Sequence, residues 1–111
     1  MIKLTAHTQI LLAIAPADFR LGIDGLAAIC RRQLKQNPSN GTLFVFINRN
    51  KTMIRTLAYD GSGFWLMTKR LSKGKFTEWP KNTTVVSGLN AIKLQQILAG
   101  HDPSQYQRIS G

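Results

Sequence analysis

Three strand-length apolar segments in the middle of the chain constrain its fold more than any other feature. Two short connectors separate them, and both are rich in Asn, Asp and Gly, which tolerate the left-handed backbone of tight turns. Short connectors place consecutive strands side by side in opposite directions. The pattern therefore predicts an antiparallel meander whose strands cover Leu43–Ile47, Met53–Tyr59 and Phe64–Thr68.

The segments that flank the meander predict two further strands. The apolar run 9–15 has the length of a buried strand, and Pro16 ends it because proline has no N–H to donate to a ladder. Residues 83–86 have the β-branched composition of another short strand. The polar and basic stretch 71–83 predicts an irregular segment after the meander.

Helical spacing of apolar residues predicts two principal helices, one before the meander and one after it. Asp24 and Ser87 are the expected N-caps, since short polar side chains accept hydrogen bonds from the free N–H groups at a helix start. Gly100 is the expected C-terminal cap of the second helix. The apolar stripes consist of Leu26, Ile29, Cys30 and Leu34 in the first helix and Leu89, Ile92, Ile97 and Leu98 in the second.

Together these elements predict an α+β fold in a single small domain. We expect a mainly antiparallel β-sheet of about four to five strands packed with two principal helices. A chain of 111 residues with 43% hydrophobic and 18% charged residues can bury one core of this kind. We assign residues 1–100 to the domain and expect 101–111 to form a loosely ordered C-terminal tail.

Basic and aromatic residues are mixed within one stretch, 49–81. Eight of the 15 Lys and Arg residues of the chain lie there, opposed by Asp60 and Glu78, together with five aromatic residues. The whole chain has a net charge of +10 and a pI near 10.5. Phosphates attract cations and bases stack on aromatic rings, so the stretch favours a nucleic-acid partner. A solvated basic face on an ordinary domain would have the same composition.

The sequence offers little for catalysis or metal binding. Cys30, the single cysteine, lies on an apolar helical stripe and indicates a core thiol, which fits a protein of the reducing cytoplasm. His7 and His101 lie far apart, so we predict no metal site and no cofactor. The five acidic residues occupy cap, turn and terminal positions and do not suit two-metal phosphoryl transfer. No segment approaches the ~20 apolar residues of a membrane span, and we predict neither an enzyme nor membrane binding.

The most specific local pattern is 18–26, which reads Asp-Phe-Arg-Leu-Gly-Ile-Asp-Gly-Leu. Gly22 and Gly25 permit a close approach of neighbouring groups. Arg20 has two open roles, because its guanidinium can pair with Asp18 or project toward a phosphate.

In three blocks the chain resembles the small accessory proteins encoded beside the transposase in IS-66-type bacterial insertion sequences. These proteins are often called TnpB or second-open-reading-frame products, and they are distinct from the far larger RNA-guided nucleases of the same name. The blocks are 18–26, 43–49 and 59–80, and the resemblance extends in order, with gaps, over roughly residues 5–100. The third block contains Tyr59-Asp60-Gly61, Lys69-Arg70-Leu71 and Trp79-Pro80.

The resemblance implies an accessory role in transposition, with the chemistry performed by a separate transposase. It supplies no catalytic residue. Two departures from the family pattern stand out. Arg55 occupies a position where lysine is expected, and Thr77-Glu78 stands between Phe76 and Trp79 where a single residue is expected.

We therefore expect a non-catalytic accessory protein that binds DNA, at the element ends or through the phosphate backbone, and assists the transposase of the same element. Cationic side chains would contact the phosphates. The expected nucleic-acid-binding residues are Arg20, Arg49, Lys51, Arg55, Lys69, Arg70, Lys73 and Lys75.

The alternative is a protein-interaction module that binds the transposase or another element-encoded protein without contacting DNA. Aromatic side chains are favoured anchors at interfaces, and Phe76 and Trp79 are the expected protein-interaction residues. Trp65 is expected in the core. The sequence leaves open whether the chain forms a homo-oligomer.

Overall fold

A computed structural model describes residues 7–82, 84–87 and 91–100. The expected tail 101–111 lies outside the described residues. The elements in chain order are β1 (Gln9–Leu12), α1 (Ile23–Arg32), β2 (Leu43–Ile47), β3 (Met53–Tyr59), β4 (Phe64–Arg70), β5 (Thr84–Ser87) and α2 (Ala91–Ala99).

The five strands form one sheet in the order β4-β3-β2-β1-β5. The predicted meander is confirmed, because β2, β3 and β4 pair antiparallel in sequence. β1 pairs parallel with β2, and α1 makes the crossover between these two strands, as parallel neighbours require. β5 adds to the other edge of β1 in the antiparallel direction. The expected α+β class with a mainly antiparallel sheet is thus confirmed.

Each face of the sheet carries its own apolar cluster, because side chains along a strand alternate between the two faces. The α1 face buries Leu11, Ala13, Leu26, Ala27, Cys30, Phe44, Phe46 and Leu57. The α2 face buries Ile10, Leu12, Leu43, Val45, Ile47, Ile54, Ala58, Phe76 and Ile97. All five residues of β2 are buried, since this strand lies inside the sheet with both faces covered.

The helix and strand ends differ from the predictions in three places. α1 begins at Ile23 with Gly22 as its N-cap, so Asp24 lies in the first turn, where its charge suits the helix dipole without capping the helix. Ser87 is the last residue of β5 and not a helix cap. β1 ends at Leu12, before Pro16, and the chain bends at residues 14–15. Gly100 does follow α2 with a positive φ of 77°, as expected of a C-terminal cap.

The segment after β4 folds back across the α2 face without regular structure, as predicted. Leu71 donates its N–H to Thr52 O (2.9 Å) and Phe76 donates its N–H to Lys51 O (2.8 Å). These two bonds fasten the segment to the β2–β3 turn. The fold-back therefore brings the basic residues of the 70–75 region beside that turn.

Candidate nucleic-acid interface

The β2–β3 turn is held by Asn48. Its side-chain Oδ1 accepts the N–H groups of Thr52 (2.9 Å) and Met53 (3.0 Å), and its Nδ2 donates to Thr52 Oγ1 (3.2 Å). Lys51 adopts a left-handed φ of 60° in this turn. The turn is consequently a fixed scaffold that exposes Arg49 and Lys51 to solvent. The sequence places Asn48 in a turn-forming connector but does not reveal these side-chain bonds, for which an Asn directly after a buried strand is the available signal.

The loop between β1 and α1 carries the Asp18–Arg20 ion pair. Arg20 Nη2 lies 2.8 Å from Asp18 Oδ2, and Asp18 Oδ1 also accepts the Arg20 backbone N–H (2.9 Å). Hydrogen bonds from Arg20 lower the pKa of the Asp18 carboxyl to about 2. The Arg20 side chain is nonetheless 91% exposed. Of the two roles left open by the sequence, the ion pair is observed, and the guanidinium still faces solvent.

Arg55 has a structural role that the sequence did not reveal. From β3 its Nη1 donates to the carbonyl oxygens of Phe19 and Leu21, and its Nε donates to Thr68 Oγ1 (3.1 Å). The guanidinium carbon also lies 4.9 Å from the centroid of the Phe19 ring. These contacts use the planar fork of arginine, which lysine cannot reproduce. Arg55 thus anchors the β1–α1 loop to the sheet, and we remove it from the expected phosphate contacts.

A groove of about 750 Å³ separates this anchored loop from the β2–β3 turn. Its walls carry Arg20 on one side and Arg49 on the other. The lining residues are Pro16, Ala17, Asp18, Phe19, Arg20, Asn48, Arg49 and Asn50. Two exposed guanidinium groups, two asparagine side chains and the Asp18 carboxylate therefore flank a cleft that is open to solvent.

The strand directions bring most of the predicted cations to one end of the sheet. The C-terminal ends of β1, β2 and β4 and the N-terminal end of β3 lie at that end, given the observed parallel and antiparallel pairings. We call this set of exposed residues the basic end: Arg20, Arg49, Lys51, Arg70, Lys73 and Lys75. Lys69 stands apart, because its Nζ donates to the carbonyl of Leu98 near the end of α2 (3.1 Å).

The aromatic residues are arranged differently from the expectation. Phe76 is fully buried, so it cannot serve as an anchor for a partner in the folded protein. Trp79 is partly buried against the same cluster and donates its indole N–H to Ala13 O (2.7 Å). Trp65, which we expected in the core, is 47% exposed because β4 is the outermost strand of the sheet. The expected protein-interaction residues therefore stabilise the fold-back segment.

Other kinds of site find little support. Among residues 7–82, 84–87 and 91–100, no three His, Cys, Asp or Glu side chains come together as metal ligands would. Burial raises the pKa of the Cys30 thiol to about 11. Neither described helix has the length and apolar character needed to cross a bilayer.

Comparison with known proteins assigns the sequence to a family. The family model described as IS66 Orf2 like protein matches residues 8–108. The uncharacterized protein y4hO of Sinorhizobium fredii is 32% identical over 102 residues, which cover 92% of this chain and 88% of that protein. The uncharacterized protein y4jC of the same organism is 40% identical over 76 residues, covering 68% of this chain and 65% of y4jC. No solved structure matches the chain significantly.

The match over most of the chain shows that this protein belongs to the IS66 Orf2-like family. Membership of that family indicates an accessory role in the transposition of an insertion sequence. The resemblance inferred from the three sequence blocks is thereby confirmed.

Proposed function

We propose that this protein is a non-catalytic transposition accessory factor that binds DNA through the basic end, in the bacterial cytoplasm, and assists the transposase of the same element. The observation that carries the proposal is the gathering of six exposed cations from three separate segments at one end of the sheet. Residues 16–20, 48–52 and 70–75 contain these six cations and one acidic residue, Asp18, which is already paired with Arg20.

The geometry favours recognition of the phosphate backbone over reading of bases. Lysine and arginine on short loops can reach phosphates, whereas base reading in the major groove requires a protruding helix or β-ribbon. The described helices pack on the faces of the sheet. DNA sequence selection is then left to the transposase, and this protein would supply affinity at the assembled complex.

A fluorescence-anisotropy titration across a salt series tests the proposal. Labelled element-end DNA is compared with scrambled DNA of equal length. If the six cations each neutralise one phosphate, log K falls with log salt with a slope of about −5. We expect similar affinity for the two sequences, because backbone contacts carry no sequence information.

A charge-matched pair of variants locates the interface. Replacing Arg49 and Lys51 by glutamine removes two charges from the basic end, and we expect the salt slope to fall in magnitude by about two units. Replacing Arg31 and Arg32 by glutamine removes two charges from the last turn of α1, outside the six residues of the basic end. We expect this control to keep nearly the full slope.

Two results would contradict the proposal. Absence of DNA binding at physiological salt would favour the protein-interaction alternative. Equal losses in the two double variants would show that net charge alone, and not the basic end, determines binding.

A further inference from the structure

The outer edge of β4 is a second surface, separate from the basic end. β4 is the terminal strand of the sheet, so one of its edges has no neighbouring strand among the described elements. Trp65 and Met67 lie on the α2 face of this strand and are 47% and 42% exposed. A seven-residue edge strand with exposed apolar side chains is a template for pairing with another strand.

The hydrogen bonds at the two ends of the β3–β4 hairpin fix which backbone groups face outward. Asp60 donates its N–H to Gly63 O (3.1 Å), and Leu71 donates its N–H to Thr52 O (2.9 Å). In an antiparallel ladder such bonded pairs alternate with non-bonded pairs. Residues 65, 67 and 69 therefore direct their backbone groups toward β3. Residues 64, 66, 68 and 70 direct theirs to the free edge.

We propose that β4 pairs antiparallel with β4 of a second copy of this chain, about a two-fold axis that passes between the two Met67 residues. Met67 is the midpoint of Phe64–Arg70, so this register pairs all seven residues of the strand. It also agrees with the backbone directions, because the outward-facing 66 and 68 lie opposite each other and so do 64 and 70. The two sheets then become one continuous sheet.

The charge pattern of β4 is complementary to itself in this register. Lys69 lies opposite Trp65 of the second copy and Arg70 lies opposite Phe64, so no cation lies opposite another cation, and the Lys69 ammonium keeps its bond to the Leu98 carbonyl. Trp65 donates its indole N–H to Asp60 Oδ2 (2.7 Å), which places a carboxylate at the Trp65 end of the strand, opposite the cationic end of the second copy. Hydrogen bonds from Ser62, Trp65 and Gly63 hold the pKa of Asp60 below its usual range, so this carboxylate is ionised at neutral pH.

This pattern identifies the occupant as a second copy. Aromatic residues at 64 and 65 and cations at 69 and 70 are arranged symmetrically about Met67, and a two-fold interface requires such self-complementarity. A strand from an unrelated protein would not be expected to complement both the aromatic end and the cationic end of β4. Pairing of the two copies also covers Trp65 and Met67, which a lone chain leaves in water.

Cysteine cross-linking tests the register on the full chain. In the proposed dimer Met67→Cys brings two thiols together at a non-bonded pair, where the Cα separation of about 4.5 Å allows a disulfide. Under a glutathione redox buffer we expect efficient conversion to a covalent dimer. Cys30 does not interfere, because it is buried.

The matched control is Lys69→Cys. In the same dimer its two thiols lie four residues apart along the paired strands, about 13 Å, and cannot bond. The double variant Trp65→Cys/Lys69→Cys places each thiol opposite its partner, so we expect cross-linking to return. Equal cross-linking of Met67→Cys and Lys69→Cys would overturn the proposed register, since it would indicate random collisions.

Sedimentation equilibrium without DNA tests the dimer independently of the proposed function. We expect the wild-type chain to sediment as a dimer at micromolar to millimolar concentration. Met67→Lys places two ammonium groups beside the axis, and we expect the dissociation constant to rise by ten-fold or more while circular dichroism remains unchanged. A wild-type monomer at ~1 mM, or an unaltered dimer in Met67→Lys, would overturn the proposal.

Discussion

Replacing Arg55 by alanine tests the assignment of this residue to the fold. The substitution removes every hydrogen bond that joins β3 to the carbonyl groups of Phe19 and Leu21, together with the bond to Thr68 Oγ1. It also removes the stacking of the guanidinium on Phe19. The substitution therefore removes contacts that hold the β1–α1 loop against the sheet.

The expected loss follows from the number and kind of these contacts. A hydrogen bond from a charged donor contributes about 1.5–3 kcal/mol and an exposed cation–π contact about 0.5–1 kcal/mol. The site is partly exposed and the Leu21 contact is long at 3.3 Å, so we take the low end of both ranges. The free energy of unfolding should fall by about 2–3 kcal/mol, a large part of the 5–15 kcal/mol typical of a domain.

Urea denaturation followed by circular dichroism measures this change. With an m-value of about 1.5 kcal/mol/M, the midpoint should fall by roughly 1–2 M. Arg55→Lys keeps the charge but loses the guanidinium fork, and we expect about half of the loss. Arg70→Ala removes an exposed cation from the neighbouring strand, and we expect a change within about 0.5 kcal/mol.

A phosphate-contacting Arg55 would behave in the opposite way. Its alanine variant would keep nearly full stability and lower the salt slope of DNA binding by about one unit. That combination would refute the structural reasoning. A stability loss with an unchanged slope in Arg55→Lys would support it.

Three further outcomes are expected from other parts of the fold. Cys30 should react with a thiol reagent much more slowly in the native protein than in urea, because burial raises its pKa to about 11 and keeps the thiol protonated at pH 8. Gly100→Ala should lower the free energy of unfolding by about 1–2 kcal/mol, since φ is positive there and an added β-carbon would lie 2.5 Å from Leu71 Cδ1. In a carbon-detected titration Asp18 should protonate near pH 2, well below its ordinary pKa of 3.8, because Arg20 stabilises the carboxylate. Since the pKa of Asp18 is lower in the folded state, its contribution to stability is present above about pH 4 and is lost as the pH falls toward 2.

Each of these outcomes has a matched control. Equal thiol reactivity in native and unfolded protein would contradict the burial of Cys30. Gly41 also has a positive φ, with open space around it, so Gly100→Ala should cost more stability than Gly41→Ala, and equal costs would remove the steric argument. Arg20→Gln should return the Asp18 midpoint toward 3.8, and an unchanged midpoint would exclude the ion pair as its cause.

Local patterns in the sequence were sufficient to predict most of the elements. The meander follows from alternating apolar segments and Asn- and Gly-containing turns, which act over a few residues. Gly100 could be recognised as a helix terminator for the same reason. The role of Asp24 was predicted wrongly, because the helix starts two residues earlier than expected. Residue preferences at helix ends do not locate a helix start to within two residues.

The candidate site depends on contacts between distant parts of the chain, and there the sequence was less informative. Arg55 is 36 residues from Phe19, and no local pattern indicates that its partners are backbone carbonyls. Phe76 lies in a polar stretch, yet the segment folds back and buries it. Trp65 has the composition of a core residue, but its exposure is decided by the position of β4 in the sheet.

The position of β1 between β2 and β5 has a consequence for how the chain folds. The ladder between β1 and β5 joins Gln9 to Ser87, so it closes the longest loop of the sheet and must form after the local meander. During synthesis, β1 can pair with β2 before the residues of β5 have left the ribosome, and until then the other edge of β1 is unpaired. The nascent sheet therefore has two open edges, β1 and β4, and the described part of the chain closes only the first of them.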